Sequence, residues 1–115
     1  MVALIVLNYN DYETTEKYIK TVREYDVLDK IVVVDNCSTD DSFEKLLQFA
    51  SNKIDVIKTD SNKGYAAGNN YGFNHIVKNY KMDYVIISNP DVEFEAEIVD
   101  VMMNQLKQNN SIGMI

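Results

Sequence analysis

The sequence predicts an α/β fold: a mostly parallel, Rossmann-like sheet flanked by helices. Short apolar runs rich in β-branched residues alternate with longer segments of helical periodicity along the 115 residues. This order is typical of βαβ crossovers, which place strands side by side in parallel. The length suits one domain with a real core, so we expect residues 1–115 to form a single domain.

The first two strands are predicted at residues 2–7 and 31–34. Both runs are apolar throughout, which indicates strands buried on both faces. Asp11 is a candidate cap for the first helix, whose apolar spacing turns Ile19 and Val22 inward. The first strand–helix unit therefore carries the clearest structural signal in the chain.

The middle of the chain predicts two more helices and an edge strand. The second helix follows a polar run and is expected to bury Phe43, Leu46, Leu47 and Ala50. Residues 54–59 alternate imperfectly, which indicates a less buried strand near a sheet edge. A third helix is predicted from about residue 66 to residue 79.

A fourth buried strand begins at Tyr84 and ends abruptly at the sequence Asn-Pro-Asp, residues 89–91. A helix over residues 95–108 is expected to turn Ile98 and Val101 inward, and a strand signal begins at residue 112. Because the sequence stops inside that apolar signal, we expect the chain to be the N-terminal part of a longer protein.

Composition excludes several classes of function. The net charge of −7 argues against non-specific nucleic-acid binding. The single cysteine, Cys37, excludes an internal disulfide and argues against a thiolate zinc site, and it fits a cytoplasmic setting. No apolar run approaches the ~20 residues that a membrane helix needs, so we expect no membrane span.

Three polar clusters follow three of the predicted strands. They contain Asn8 and Asn10, then Asp35, then Asn89 and Asp91. Parallel strands end at the same edge of a sheet, where open α/β sheets bind ligands, so the clusters can converge on one ligand. Each cluster taken alone is equally compatible with a turn or a helix cap.

Glycines at positions 64, 68 and 72 are four residues apart, a spacing that on a helix places them on one face. Interior glycines cost about 1 kcal/mol each against alanine, so they need a reason. Close packing of helix on sheet is the interpretation for Gly72 and also for Gly68, whereas Gly64 is expected to serve a ligand-binding loop. His75 is expected to be a partly exposed helix residue, and Cys37 a small turn residue.

These motifs together resemble glycosyltransferase family 2, and its rhamnosyltransferase-like branch in particular. The resemblance rests on four segments in matching order and spacing, residues 4–10, 34–40, 62–70 and 89–92. It implies a GT-A fold that binds a nucleotide-diphosphate sugar together with Mg²⁺ or Mn²⁺. It covers essentially the whole chain.

The resemblance also assigns roles to residues. Asp35 matches the aspartate that contacts the nucleoside, and Asp91 matches the metal ligand of the Asp-X-Asp position. The predicted donor-binding residues are Asn8, Asn10, Asp35, Asn62, Gly64, Asn69, Asn70 and Asn89. Asn89 replaces the first acid of the metal motif, so the metal site is expected to depend on the donor's phosphates.

The implied reaction is an inverting transfer of a sugar to a glycan or lipid-linked acceptor in polysaccharide or cell-envelope synthesis. The general base is expected beyond Ile115, so these 115 residues are expected to bind the donor without turnover. The parent protein is expected in the cytoplasm, at the inner face of the membrane if it is bound there.

Three other α/β classes fit less well. A sugar-phosphate nucleotidyltransferase needs a glycine-rich basic loop after the first strand, where the sequence has residues 8–11 instead. A receiver-like, non-catalytic module needs paired acids there, and a haloacid-dehalogenase-like phosphatase needs a nucleophilic aspartate. Asn8 supplies neither.

Overall fold

The structure is a computed structural model that describes residues 1–91, 96–99, 101 and 104. Its strands are β1 (Val2–Asn8), β2 (Lys30–Asp35), β3 (Ile54–Lys58) and β4 (Tyr84–Ser88). Its helices are α1 (Tyr12–Val22), α2 (Ser42–Leu46), a 3₁₀ helix (Leu47–Phe49) and α3 (Tyr65–Asn79).

The four strands form one sheet in the order β3-β2-β1-β4, and each pairing is parallel. In this order β1 and β2 are central, and all of their residues are buried. The predicted α/β fold with a parallel, Rossmann-like sheet is therefore confirmed. The continuous apolar runs arise because central strands of such a sheet are covered on both faces.

The two faces of the sheet carry separate cores. Alternate side chains of β1 and β2, such as Leu4 and Ile31, pack with Ile19 of α1 and Leu46 of α2. The other set packs with Ile76 of α3. Helices thus cover both faces, and full burial of each large aliphatic side chain contributes about 1.5–3 kcal/mol.

The edge strands differ in how well the sequence predicted them. β3 lies at one edge and is only partly buried, as its imperfect alternation predicted. β4 was predicted to be buried on both faces, but Val85 and Ile87 are only partly buried. The prediction was wrong because β4 pairs with β1 alone among the described strands. An apolar run does not reveal such a position.

The second helix is shorter than predicted and faces the core differently. After α2 the chain tightens into the 3₁₀ helix, with three residues per turn. Phe49, three residues beyond the buried Leu46, therefore packs inward with 7% exposure. Leu47 is 45% exposed and Ala50 is also exposed, so their predicted burial was wrong.

The predicted helix over residues 95–108 is described only in part. Residues 96–99, 101 and 104 are helical, and the others lie outside the described residues, as does the strand signal at residue 112. Val99 is the buried residue there, while Ile98 and Val101 are about half exposed, contrary to their predicted inward orientation. In the part of the chain that the structure describes, no helix has the length and apolarity to span a bilayer.

Candidate functional site

The polar ends of three strands lie at one edge of the sheet. Asn8 at the end of β1 pairs in register with Asp35 at the end of β2. On the other side of β1, Ser88 at the end of β4 pairs with Val6, so Asn89 follows at the same edge. The predicted convergence of these strand ends is confirmed, and the edge is the usual ligand-binding side of such a sheet.

Asn8 and Asp35 form a buried hydrogen-bonded pair at the base of this edge. The Asn8 side-chain N–H donates to the Asp35 carboxylate at 2.9 Å, and its oxygen accepts from the Thr15 hydroxyl at 2.6 Å. The Ser38 hydroxyl and backbone N–H donate to the two Asp35 oxygens at 2.6 and 2.9 Å. Asn8 is 1% exposed and Asp35 is 0% exposed, so the protein itself satisfies both side chains.

Asn10 joins the loop after β1 to the loop after β2. Its side-chain oxygen accepts from the Thr39 N–H at 2.8 Å and its amide N–H donates to the Thr39 hydroxyl at 2.9 Å. Its φ of 51° is a left-handed conformation that asparagine tolerates better than most residues.

The hydroxyl and N–H of Ser42 lower the pKa of Asp40 below its usual value, so the loop after β2 keeps a negative charge.

Tyr9 lies between these two asparagines and is 45% exposed at the rim of the site. Its neighbour Asn8 is buried and its neighbour Asn10 is bound to the next loop. Tyr9 was not among the predicted donor-binding residues. The sequence feature that could have identified Tyr9 is an aromatic residue between two polar residues at the end of a strand.

The loop of residues 62–64, here called the entry loop, leads into α3. The Asn62 side-chain oxygen accepts from the Gly64 N–H at 2.9 Å, so the loop closes on itself. Gly64 has a φ of 97° and nothing lies within 4 Å of where its Cβ would be. Glycine is therefore required here by backbone conformation, and the outer face of the loop is open.

Gly68 and Gly72 serve packing, as predicted. A Cβ on Gly68 would lie 2.6 Å from Cδ1 of Leu7, and a Cβ on Gly72 would lie 2.8 Å from Cγ2 of Val34. Both glycines are buried. They let the α3 backbone lie directly on β1 and β2, which fixes the height of the helix above the sheet.

Asn69 and Asn70, the next predicted donor-binding residues, differ in exposure. Asn70 is exposed, whereas Asn69 is 5% exposed. The buried side-chain oxygen of Asn69 accepts no hydrogen bond from the described residues. Asn69 lies one helical turn after Tyr65, on the same side of α3.

Tyr65 connects α3 to the end of β4. Its hydroxyl donates a hydrogen bond to the side-chain oxygen of Asn89, and both residues are exposed. This contact was not predictable from local sequence because the two residues are 24 positions apart. The bond orients the Asn89 amide at the mouth of the site.

Asp91 is exposed in the turn that follows Pro90. The described residues contain no group of three or more histidine, cysteine, aspartate or glutamate side chains suited to a metal ion. A single accessible carboxylate fits a hard cation held mostly by phosphates and water, since Mg²⁺ commonly binds in this way. Among the residues that the structure describes, Asp91 has no neighbouring carboxylate, histidine or cysteine group with which it would hold a cation by protein ligands alone.

Asn36 follows Asp35 at the end of β2 and was not among the predicted donor-binding residues. Its side chain is 3% exposed and donates to both the Asn62 side-chain oxygen and the Gly64 carbonyl, each at 3.2 Å. It therefore lies directly beneath the entry loop. The sequence feature that could have identified Asn36 is a second polar residue directly after an otherwise apolar strand.

A second polar cluster lies at the opposite ends of the strands. Asp55 accepts from the Tyr80 hydroxyl at 2.6 Å, contacts His75 Nε2 at 2.9 Å and contacts Lys30 Nζ at 3.4 Å. Burial acts to raise the pKa of Asp55, but these contacts outweigh it and the pKa lies below its usual value. His75 is 25% exposed, in agreement with the predicted partly exposed helix residue, and its partner Asp55 lies 20 positions away in the sequence.

An α/β domain with converging polar strand ends is typical of nucleotide-binding proteins. Residues 3–115 match the sequence profile of glycosyl transferase family 2. The chain therefore belongs to this family, and the predicted family resemblance is confirmed.

Individual relatives agree with the family assignment. The low-salt glycan biosynthesis hexosyltransferase Agl10 of Haloferax volcanii is 29% identical over 96 residues, which are 83% of this chain and 29% of that protein. The mannosyltransferase PcManGT of Pyrobaculum calidifontis, in complex with GDP-Man and Mn²⁺, superposes with a TM-score of 0.75. It is 20% identical and aligns with 91% of this chain and 32% of its own.

A second solved structure is TarS 1–349 of S. aureus in complex with UDP-GlcNAc. It superposes with a TM-score of 0.74 at 19% identity, over 96% of this chain and 32% of its own. These similarities confirm the GT-A fold. The chain spans about a third of the length of these relatives.

Proposed function

We propose that this chain binds a nucleotide-diphosphate sugar at the carboxyl edge of the sheet, and that the longer protein to which it belongs transfers the sugar to an acceptor hydroxyl. The observation that carries the proposal is the convergence of the ends of β1, β2 and β4 at one edge. Membership of glycosyl transferase family 2 favours this reaction over nucleotidyl transfer or a non-catalytic role.

The nucleoside is expected to bind beside the loops after β1 and β2. The exposed ring of Tyr9 offers a stacking surface, and stacking of a base on an aromatic ring is worth about 1–3 kcal/mol. The Asp35 carboxylate is buried beneath the Ser38 hydroxyl. Because Asp35 is fully buried, a base N–H or ribose hydroxyl would reach its carboxylate only after the Ser38 loop moves.

The diphosphate is expected near Asn89 and Asp91. Asp91 would hold Mg²⁺ or Mn²⁺ through its exposed carboxylate, and the amide oxygen of Asn89 would add a neutral ligand. The cation supplies positive charge that stabilises the leaving diphosphate. Because the chain carries a net charge of −7, this compensation is needed for an anionic donor to bind.

The proposed reaction is an inverting displacement. The acceptor oxygen bonds to the anomeric carbon as the bond to the nucleoside diphosphate breaks, and a general base takes the acceptor proton. That base is predicted beyond Ile115, with the acceptor-binding half. A glycan or lipid-linked acceptor, a rhamnosyl donor and a cytoplasmic location remain predictions from the family resemblance.

Calorimetry with UDP, dTDP and GDP, each with and without Mn²⁺ or Mg²⁺, tests the proposal. We expect at least one diphosphate to bind only when a cation is present. Asp91→Ala is expected to weaken that binding by about tenfold or more, which is 1.4 kcal/mol. Asp26→Ala, a matched exposed aspartate between α1 and β2, is expected to bind like the wild type.

Equal binding with and without cation, or wild-type binding by Asp91→Ala, would refute the metal-dependent site. Sugar transfer by the purified 115-residue chain would contradict the prediction that the base lies beyond Ile115.

A further inference from the structure

Asn36 joins four segments of the chain at the edge of the sheet. Its backbone N–H donates to the Asn8 carbonyl at 2.8 Å, which ties it to the end of β1. Its side-chain oxygen accepts from the Thr59 hydroxyl at 3.1 Å, just beyond β3. Its side-chain nitrogen donates to Asn62 and to the Gly64 carbonyl in the entry loop.

This arrangement uses the two ends of the amide differently. The oxygen faces a hydroxyl donor, and the nitrogen faces two acceptors, so only an amide in this orientation satisfies all three partners. Asn36 is 3% exposed and Thr59 is 7% exposed. Buried polar groups that lose a partner are costly, so the entry loop is strongly held in this position.

The position of the loop determines where α3 begins. Asn62 accepts from both Asn36 and the Gly64 N–H, and Gly64 is the residue from which α3 starts. Asn36 also lies under the next turn, since a Cβ on Gly68 would lie 3.2 Å from its Cγ. Asn36 thus supports the loop and the first turn of α3 from below.

We propose that Asn36 is the positioning residue for the entry loop in donor binding. It acts through Asn62 and Gly64, because its own side chain is too buried to reach a donor. The inference rests on the proposed function and deepens it. Two N–H···O bonds from Asn36, just after β2, hold the entry loop in the position at which it would bind the nucleoside diphosphate.

The test replaces the amide by an isosteric carboxyl group, Asn36→Asp. At about pH 8 a carboxylate cannot donate and repels the two oxygens of the entry loop, so we expect diphosphate affinity to fall by about tenfold or more. At about pH 5 burial favours the neutral carboxyl, which can donate one of the bonds again. The affinity ratio to wild type at the same pH is then expected to shrink to about threefold or less.

Thr59→Val is the matched control. It removes the hydroxyl on the oxygen side of Asn36 but leaves both bonds to the entry loop in place. It is expected to lower stability and to keep the diphosphate affinity within about threefold of wild type. Affinity is measured calorimetrically with Mn²⁺ and whichever of UDP, dTDP and GDP binds the wild type most tightly.

The inference would be overturned if Asn36→Asp bound the diphosphate as tightly as wild type at pH 8, or if it lost the same affinity at both pH values. It would also be overturned if Thr59→Val lost as much diphosphate affinity as Asn36→Asp. If Asn36→Asp fails to fold at pH 8, Asn36→Ala replaces it and is expected to bind about tenfold more weakly at both pH values, with wild-type affinity as the contradicting result. If the wild type binds none of the three diphosphates, both this inference and the proposed function fail. If it binds and Asn36→Asp is unaffected, only this inference fails.

Discussion

Substitution of Gly72 by alanine tests how closely α3 packs on the sheet. The new Cβ would lie 2.8 Å from Cγ2 of Val34 and 3.0 Å from Cγ2 of Ile5. Both are methyl groups on the β-carbon of fully buried strand residues, so they can move only by a χ1 rotation, which is restricted in β-branched residues, or by a shift of the strand backbone. We expect Gly72→Ala to destabilise the fold.

The magnitude follows from two opposing effects. Replacing glycine by alanine inside a helix stabilises it by about 1 kcal/mol. Overpacking a well-packed core costs about 1–3 kcal/mol, and two rigid contacts place this site in the upper half of that range. The expected net loss in the free energy of unfolding is about 1–2 kcal/mol.

Gly68→Ala makes the prediction sharper. Its nearest contact is shorter, 2.6 Å, but the atom is Cδ1 of Leu7, at the far end of a flexible side chain. A rotation of the leucine can relieve this contact, and the other neighbour, Cγ of Asn36 at 3.2 Å, is farther away than either methyl group at Gly72, so we expect Gly68→Ala to cost less than Gly72→Ala. Rigidity of the neighbour, rather than the distance alone, decides the cost.

Urea denaturation followed by far-UV circular dichroism measures these differences, since the chain has no tryptophan to report by fluorescence. The pair Asn74→Ala and Asn74→Gly, at an exposed position in the middle of α3, measures the helix-propensity difference in the same helix. A Gly72→Ala protein as stable as wild type, or a greater loss in Gly68→Ala, would refute the packing argument.

Three further predictions concern hydrogen bonds. The pKa of Asp55 in the folded protein lies below its ordinary 3.8. The ionised carboxylate therefore contributes its full stabilisation above pH 3.8, and this stabilisation is lost as the pH falls through the folded pKa. Asp55→Asn is expected to cost about 1–3 kcal/mol in the free energy of unfolding near neutral pH and less at about pH 3, and a pH-independent cost would contradict this. Tyr65→Phe removes the bond that orients Asn89 and is expected to weaken Mn²⁺-dependent diphosphate binding about threefold by calorimetry; unchanged binding would show that this orientation is irrelevant. Asn10→Gly keeps the left-handed backbone but loses the bonds to Thr39, so we expect a loss of about 1 kcal/mol and faster amide exchange at Thr39, whereas unchanged exchange would contradict the predicted role.

The fold was largely predictable because its central strands are covered on both faces. Each of the residues in β1 and β2 must be compatible with a buried environment, and this requirement is visible as unbroken apolar runs. The second helix and β4 were predicted less well. The burial of Leu47 depends on where the helix tightens into a 3₁₀ turn, and the burial of Val85 depends on whether β4 has a neighbouring strand on each side. Local periodicity predicts neither feature.

The candidate site was predictable in its location and less so in its chemistry. Strand ends identified Asn8, Asp35 and Asn89, because parallel strands must end at the same edge. Their hydrogen-bond partners were not predictable. Tyr65 reaches Asn89 and Asn36 reaches Asn62 over more than 20 residues, through contacts that exist only once α3 lies on the sheet.

The sequence by itself determined the α/β fold and the edge at which the polar residues gather. These features follow from local pattern and from the geometry common to parallel sheets. Only the tertiary structure decided that Asp35 is enclosed by its neighbours and that Asn36 supports the entry loop. Burial and hydrogen-bond partnership are properties of distant segments brought together, and no single stretch of sequence contains them.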